Sequence, residues 1–331
     1  MKLAKCLKGV ALLLAMLLCI PWANSNVRAD SSPSDSSSSS SSYSSSPVSE
    51  TVVARENKAA DTARTTTQII TSRIMSVFSP KPSKQNLVAG LSSGDAFEEQ
   101  GLGLWGLGAY SDTGVNKSGY QSTNTLGLGM FGLDTLLLDD KLALGVAAGY
   151  ENTWSKTKLT GYTENGNGYS ISPYAAYRVN DAFTLKGILN TAFSDYDVNQ
   201  NNQNYSGVRL TGDISGEYAW VYENLTMALE AGFMYMNEDF NHNYEDTYLG
   251  EGRVSGRIGY GFENGVEPYF RGTYYQNLIN NNRAHLEDHL WEGALGLNYY
   301  IGSFAISAEG FGLTNVDKDT LGGSLLVRFD F

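Results

Sequence analysis

The sequence predicts an all-β fold: a twelve-stranded antiparallel transmembrane β-barrel preceded by one helix. Three observations predict it. Twelve strand-like segments follow residue 101, and several of them place apolar and polar residues on opposite faces with a period of two, the first two less cleanly because glycine crowds them. The connections between those segments run long, short, long, short. No run of about 18 apolar residues follows residue 25, so no transmembrane helix competes with the strands.

Residues 1–25 read as a secretory signal peptide. Lys2, Lys5 and Lys8 precede an apolar run over 9–20, twelve residues and too short to cross a bilayer comfortably. Pro21 and then Ala23-Asn24-Ser25 supply small residues at the spacing a signal peptidase reads, with Val27-Arg28-Ala29 as the second choice of cleavage site. Cys19 invites a lipoprotein reading, but Leu18 before it is not the small residue a lipobox needs. Both cysteines, Cys6 and Cys19, fall inside this segment, so no disulfide is expected after it. Removing its three lysines moves the formal charge from −12 to −15. So acidic a chain is a poor partner for nucleic acid, whose phosphates need cations.

A serine-rich low-complexity segment occupies 26–60, with thirteen serines in 31–46 between the signal peptide and Pro47. Such a composition buries too little apolar surface to fold. Over 61–79 the texture changes. Ile70, Ile74 and Val77 recur at helical spacing, with Arg64 and Arg73 among polar neighbours. The expectation is a helix to Phe78 that needs tertiary support, because its threonines are weak helix formers. Pro80 and Pro82 end it. The alternative is an unbroken linker.

The barrel is expected over 95–331, with strands at 102–110, 125–133, 142–152, 169–179, 183–194, 208–222, 225–236, 252–262, 266–276, 290–301, 304–312 and 321–331. Most are near the nine to eleven residues that cross a bilayer as a tilted strand. In the third, Leu142, Leu144, Val146, Ala148 and Tyr150 share a face opposite Ala143, Gly145, Ala147, Gly149 and Glu151. In the seventh, Leu225, Met227, Leu229, Ala231, Phe233 and Tyr235 oppose Thr226, Ala228, Glu230 and Gly232. In the eighth, Val254, Ile258, Tyr260 and Phe262 oppose Arg253, Ser255, Arg257 and Gly259. The last segment sets Leu321, Gly323, Leu325, Val327, Phe329 and Phe331 against Gly322, Ser324, Leu326, Arg328 and Asp330.

The connections decide what faces the apolar side. Long ones fall at 111–124, 153–168, 195–207, 237–251, 277–289 and 313–320; short ones at 134–141, 180–182, 223–224, 263–265 and 302–303. Long loops on one end and tight turns on the other are the pattern of an outer-membrane barrel, with long loops extracellular and short turns periplasmic. A soluble sandwich has no reason to segregate them. In lipid, only a closed barrel leaves no strand edge unpaired. The outer face therefore meets outer-membrane lipid, and a monomeric barrel is expected.

Over 101–331 the sequence resembles the autotransporter β-domain, the translocator of type V secretion in Gram-negative bacteria. The residues that carry the resemblance are "LGVAAGYE" at 144–151, Trp105, "SPYAAYRVNDAFTLKGILNTAFSDYD" at 172–197 and the terminal Phe331. The resemblance implies twelve strands and a pore helix just before the barrel, where 61–78 lies, leading to a passenger outside. It also implies that Leu325, Val327, Phe329 and Phe331 form the signal read by the barrel-assembly machinery, after transit with periplasmic chaperones. Two departures stand out. Only about 35 residues separate the signal peptide from the helix, against the several hundred of a usual passenger. The Asn–Asn pair of self-cleaving members is replaced by Asn57-Lys58. The expectation is a translocator displaying a very short N-terminal segment. The alternatives are a stand-alone porin-like or structural barrel, or a rim-site barrel protease.

Other motifs carry less. "GLGLWG" at 101–106 and "GLGMFG" at 127–132 fit a dinucleotide fingerprint, but no helix follows either. "HLEDH" at 285–289 spaces two histidines by four on an expected surface loop, and His242 lies in another near Glu245 and Asp246. No nucleophile–base spacing accompanies them, so no catalytic residue, metal or cofactor is expected. The lumen-facing candidates are Arg178, Lys186, Arg209, Asp213, Glu217, Glu230, Arg253, Arg257, Arg271 and Arg328, with Glu151, Glu267, Glu292, Glu309 and Asp330 among them. Arg64 and Arg73 of the helix are expected to pair with lumen carboxylates such as Glu217 or Glu230. Gly145, Gly149 and Gly259 are expected to lower the wall where the helix passes.

Overall fold

The computed structural model describes residues 47–78, 102–117, 120–199, 204–241, 246–280 and 289–330. The signal-peptide segment, the serines before residue 47, residues 79–101, His242, His285 and Phe331 lie outside them.

Helix α1 spans Pro47–Phe78. Twelve strands follow: β1 Leu102–Lys117, β2 Tyr120–Leu137, β3 Leu142–Thr157, β4 Thr163–Arg178, β5 Phe183–Val198, β6 Tyr205–Tyr222, β7 Leu225–Phe240, β8 Thr247–Tyr260, β9 Val266–Asn280, β10 His289–Ile301, β11 Phe304–Thr314 and β12 Lys318–Asp330. Each strand pairs antiparallel with its neighbours in sequence, and β12 pairs with β1 from Gly103↔Asp330 to Val115↔Lys318. The barrel is closed, so every strand finds two partners, as a strand in hydrocarbon must.

Period-two chemistry sets the two faces. Leu321, Leu325, Val327 and Phe329 of β12 are exposed outward, while Leu326 and Arg328 are buried inside. Outward aromatics form two girdles. Tyr177, Tyr218, Trp220, Tyr222 and Tyr260 ring the short-turn end; Tyr110, Tyr150, Tyr169, Tyr235 and Trp291 ring the long-loop end. Such belts sit at the two lipid–water interfaces.

Most strands run further toward the long loops than hydropathy predicts. β4 starts at Thr163, β7 ends at Phe240, and β8 starts at Thr247. A strand of 16 residues, such as β5, rises about 53 Å along its own axis and roughly 40 Å along a barrel tilted by about 40°, against a lipid band of about 25 Å. Beyond the band the outer face no longer needs to be apolar. On β5 the outward positions change from Leu185 and Phe193 to Asp195 and Asp197 while the backbone pairing continues. The apolar–polar contrast ends before the strand does.

The helix also starts earlier than the expected residue 61. Pro47 occupies its first position, where a missing N–H costs nothing. Val53, Ala54, Ala59, Ala60 and Ala63 are buried, as are Arg55 and Lys58. The support that the threonine-rich stretch requires is the barrel wall, which surrounds the helix. With 32 residues it is about 48 Å long. No helix among the described residues is apolar enough to cross a membrane; α1 sits in the polar lumen instead.

Candidate functional site

The site is the contact between α1 and the lumen wall, and it is built in three levels. At the long-loop end, Tyr162, Tyr196, Val198, Tyr205 and Phe240 form an inward-facing cluster. Arg55 enters it, donating from Nε to the Tyr205 hydroxyl at 3.0 Å, with its guanidinium 4.7 Å from the Tyr205 ring centre and 5.1 Å from that of Phe240. Lys58 Nζ lies 3.8 Å from the Tyr196 ring centre and pairs with Glu164. The hydroxyls of Tyr162 and Tyr205 each donate to the other oxygen of Glu164 at 2.5 Å. Each buried charge therefore has a partner, which is the condition for burying it at all.

At the middle level Ala59, Ala60 and Ala63 pack on Met234, Met236 and Leu249. Small residues let the helix approach β7 and β8 closely. Asp61, Arg64 and Gln68 lie on one face at spacings of three and four. Asp61 accepts from Lys318 Nζ at 2.5 Å and from the Thr113 hydroxyl at 3.2 Å. Arg64 forks onto Glu251, Nη2 to Oε2 at 2.6 Å and Nε to Oε1 at 3.0 Å. Gln68 Nε2 contacts the Tyr275 hydroxyl and donates to Glu292 Oε2 at 2.6 Å.

At the short-turn end Ile69, Ile70 and Ile74 pack on Trp105, Leu128, Met130, Ala143, Ala147 and Tyr174. Arg73 is fully buried and pairs with Asp134, Nε to Oδ2 at 2.7 Å. The same Oδ2 accepts from the Tyr174 hydroxyl at 2.7 Å, and that hydroxyl accepts from Trp105 Nε1 at 2.8 Å. The helix ends at Phe78, whose carbonyl accepts from Arg178 Nη2 at 2.9 Å. A cation at this place satisfies an orphan carbonyl and complements the helix dipole.

The rest of the wall neutralises itself. Glu217 and Glu230 sit directly opposite each other across β6 and β7, a repulsive arrangement by itself. Lys186 Nζ bonds both, at 2.5 and 2.7 Å. Arg253 bridges Asp213 and Glu230. Arg209 pairs with Glu151 at 2.5 Å and Glu238 at 3.6 Å. Arg257 pairs with Glu267 at 3.3 Å, Arg271 with Glu292 and Glu309 at 2.7 and 2.6 Å, and Arg328 with Asp330 at 2.5 Å.

The family profile described as Autotransporter beta-domain matches residues 100–302. The chain belongs to that family. Among solved structures, the translocator domain of autotransporter NalP from Neisseria meningitidis is 8% identical, with a TM-score of 0.66 over 84% of this chain and 99% of that chain. The beta domain of the Bordetella autotransporter BrkA is 14% identical, with a TM-score of 0.58 over 70% of this chain and 99% of that one. The transport unit of the autotransporter AIDA-I from Escherichia coli is 13% identical, with a TM-score of 0.54 over 78% and 97%. At such identities the likeness is one of fold. No curated protein matches in sequence. The barrel is an autotransporter translocator domain of the outer membrane.

In this autotransporter β-domain the ten lumen-facing candidates all point inward, and Arg178 reaches the helix directly. The others meet carboxylates or cations of the wall. Arg64 and Arg73 do pair with carboxylates of the lumen wall, but not with Glu217 or Glu230. Those carboxylates are taken by Lys186 and Arg253, and the helix arginines meet Glu251 and Asp134 instead. Glu164, Glu251 and Lys318 lie in stretches that hydropathy assigns to loops, and Asp134 in one it assigns to a turn. Carrying the period of two outward from each strand finds them. Glu238 is in phase with Glu230, Glu251 with Arg253, and Glu164 with Ser172, all on lumen faces.

The glycines make room for side chains of the neighbouring strands. Gly145 lies opposite Tyr174, and a Cβ there would stand 2.2 Å from the ring. Trp105 covers Gly132 and Tyr269 covers Gly296 in the same way, each directly across a strand pair. At Gly149 a Cβ would meet the Ser170 hydroxyl, and at Gly259 the side chains of Thr226 and Glu267. Missing side chains let large rings lie flat and leave the lumen wide enough for a helix. Gly145→Ala is accordingly expected to displace Tyr174 from Asp134 and to cost about 1–3 kcal/mol. The check is a lowered midpoint of the heat-modifiable gel shift.

Proposed function

We propose that this autotransporter β-domain displays its short N-terminal segment at the cell surface and performs no chemistry of its own. The observation that supports this is the direction of the helix. Arg55 and Lys58 lie among residues of the long-loop end, and Phe78 meets Arg178 at the short-turn end. The N-terminal end of the described helix is thus directed to the long-loop end, the end expected to face outward in barrels of this kind. Insertion would proceed from the periplasm with chaperones and the barrel-assembly machinery, which would read Leu325, Val327, Phe329 and Phe331, and would end in a lipid-bound monomer.

The test is the side on which the serine-rich segment lies. Ser40→Cys is expected to react with a membrane-impermeant maleimide on intact cells. Labelling that requires permeabilisation would place the segment in the periplasm and favour a stand-alone barrel.

A further inference from the structure

We infer that the outer surface of β3, β4 and β5, just beyond the lipid band, binds the saccharide headgroup of a membrane-embedded glycolipid. The observation that points to it is Trp154. On β3 the girdle is set by Tyr150, and Trp154 stands four residues further toward the long loops on the same outward face. That is about 13 Å along the strand and about 10 Å along the barrel axis. An indole that only anchors a barrel in lipid lies at the girdle, as Trp291 does. Trp154 is 38% exposed within a polar surface instead. Its direct cross-strand neighbours are Thr125 and Asn165, and Asn152 and Lys156 flank it on β3.

Three outward rows run in register across these strands. The lowest is Tyr150, Tyr169 and Phe193, all exposed, with the two tyrosine rings 5.3 Å apart. Next come Asn152, Asn167 and Asp195, and beyond them Trp154, Asn165 and Asp197. The lowest row continues the lipid face, and the other two set amides and carboxylates around one ring. Part of this surface is already held in place. Asn167 Oδ1 accepts from the Tyr150 hydroxyl at 2.8 Å and from Asn152 Nδ2 at 2.9 Å, which leaves Asn167 Nδ2 to donate elsewhere.

The chemistry of the rows selects the ligand. Sugar hydroxyls donate and accept, as carboxylates and amides require of a partner, and the C–H face of a pyranose packs on an indole. None of the three rows holds a lysine or arginine, so a phosphate headgroup would meet Asp195 and Asp197 without a compensating cation. The rows are also more than the solvated rim that any barrel needs. Among the described residues the opposite wall has no counterpart. Strands β10–β12 run for 11–13 residues against 16–18 in β1–β7, and β10 begins only two residues before its girdle Trp291. A sugar seated on Trp154 would have its acyl chains beside Tyr169 and Phe193, where the lipid face begins. That continuity favours a glycolipid over a free sugar.

The mature chain is reconstituted in phosphatidylcholine nanodiscs doped with a diglycosyl diacylglycerol, and folding is verified by heat-modifiable mobility. Bound glycolipid is counted by native mass spectrometry. The unaltered chain is expected to retain glycolipid, and Trp154→Ala to weaken retention about tenfold. Trp291→Ala, which removes a girdle ring from the opposite wall, is expected to leave it unchanged. Asn165→Leu is expected to weaken it too, and carries the measurement if Trp154→Ala fails to fold. No retention by the unaltered chain, or equal losses in Trp154→Ala and Trp291→Ala, would overturn the site. Equal retention of phosphatidylglycerol would overturn sugar recognition. Binding of the free disaccharide as tightly as the glycolipid would place the ligand in solution and overturn the membrane source.

Discussion

A chain that begins at residue 95 will conduct ions in a planar bilayer through a pore that the helix-containing chain keeps shut. The size of the effect follows from geometry. Twelve strands about 4.8 Å apart, tilted by about 40°, close to a backbone diameter of about 24 Å. Inward side chains take up roughly 10 Å of that, and a helix with its side chains is about 10–12 Å across. The helix therefore fills about half to three quarters of the free section, and its removal should raise conductance at least about two- to fourfold. The shortened chain must first show the heat-modifiable shift of a folded barrel. Equal conductance from two folded proteins would mean that the helix is not held in the lumen.

Arg73→Ala will loosen the helix without opening the pore. The guanidinium has no exposure, and its partner Asp134 is 5% exposed, so truncation leaves a carboxylate buried beside Tyr174 with its cation gone. Breaking a buried pair from one side costs about 3–5 kcal/mol. The midpoint of the heat-modifiable transition should fall, and the double variant Arg73→Met/Asp134→Leu should recover most of the loss, because it removes both charges at once. Conductance should stay low, since Asp61, Arg64 and Gln68 still bond the helix to the wall. An unchanged midpoint in Arg73→Ala would show that the ion pair contributes nothing to helix docking.

The sequence by itself determined the architecture. Twelve strands, the lipid face of each, the division into a long-loop end and a short-turn end, and a helix ahead of β1 are all local properties. They follow because a lipid-facing residue must be apolar whatever its neighbours are, so the contrast between Leu325 and Arg328, or Leu229 and Glu230, is legible residue by residue. The same logic explains where the reading stopped short. Above the lipid band Asp195 and Asp197 face water outside the barrel, and alternation no longer marks a strand.

Only the tertiary structure decided the site. Lys58 meets Glu164 across 106 positions of sequence, and Arg64 meets Glu251 across 187. In a ring of twelve strands every inward charge faces several others of opposite sign. Which pair forms depends on barrel diameter, strand register and helix depth together. Glu217 and Glu230 were plausible partners for the helix until the register set them face to face, where Lys186 is needed to offset their repulsion. The start of the helix was hidden for a related reason. Arg55 and Lys58 make a poor helix face in water and a good one only inside a collar of Tyr196, Tyr205 and Phe240, which three strands distant in sequence from the helix assemble.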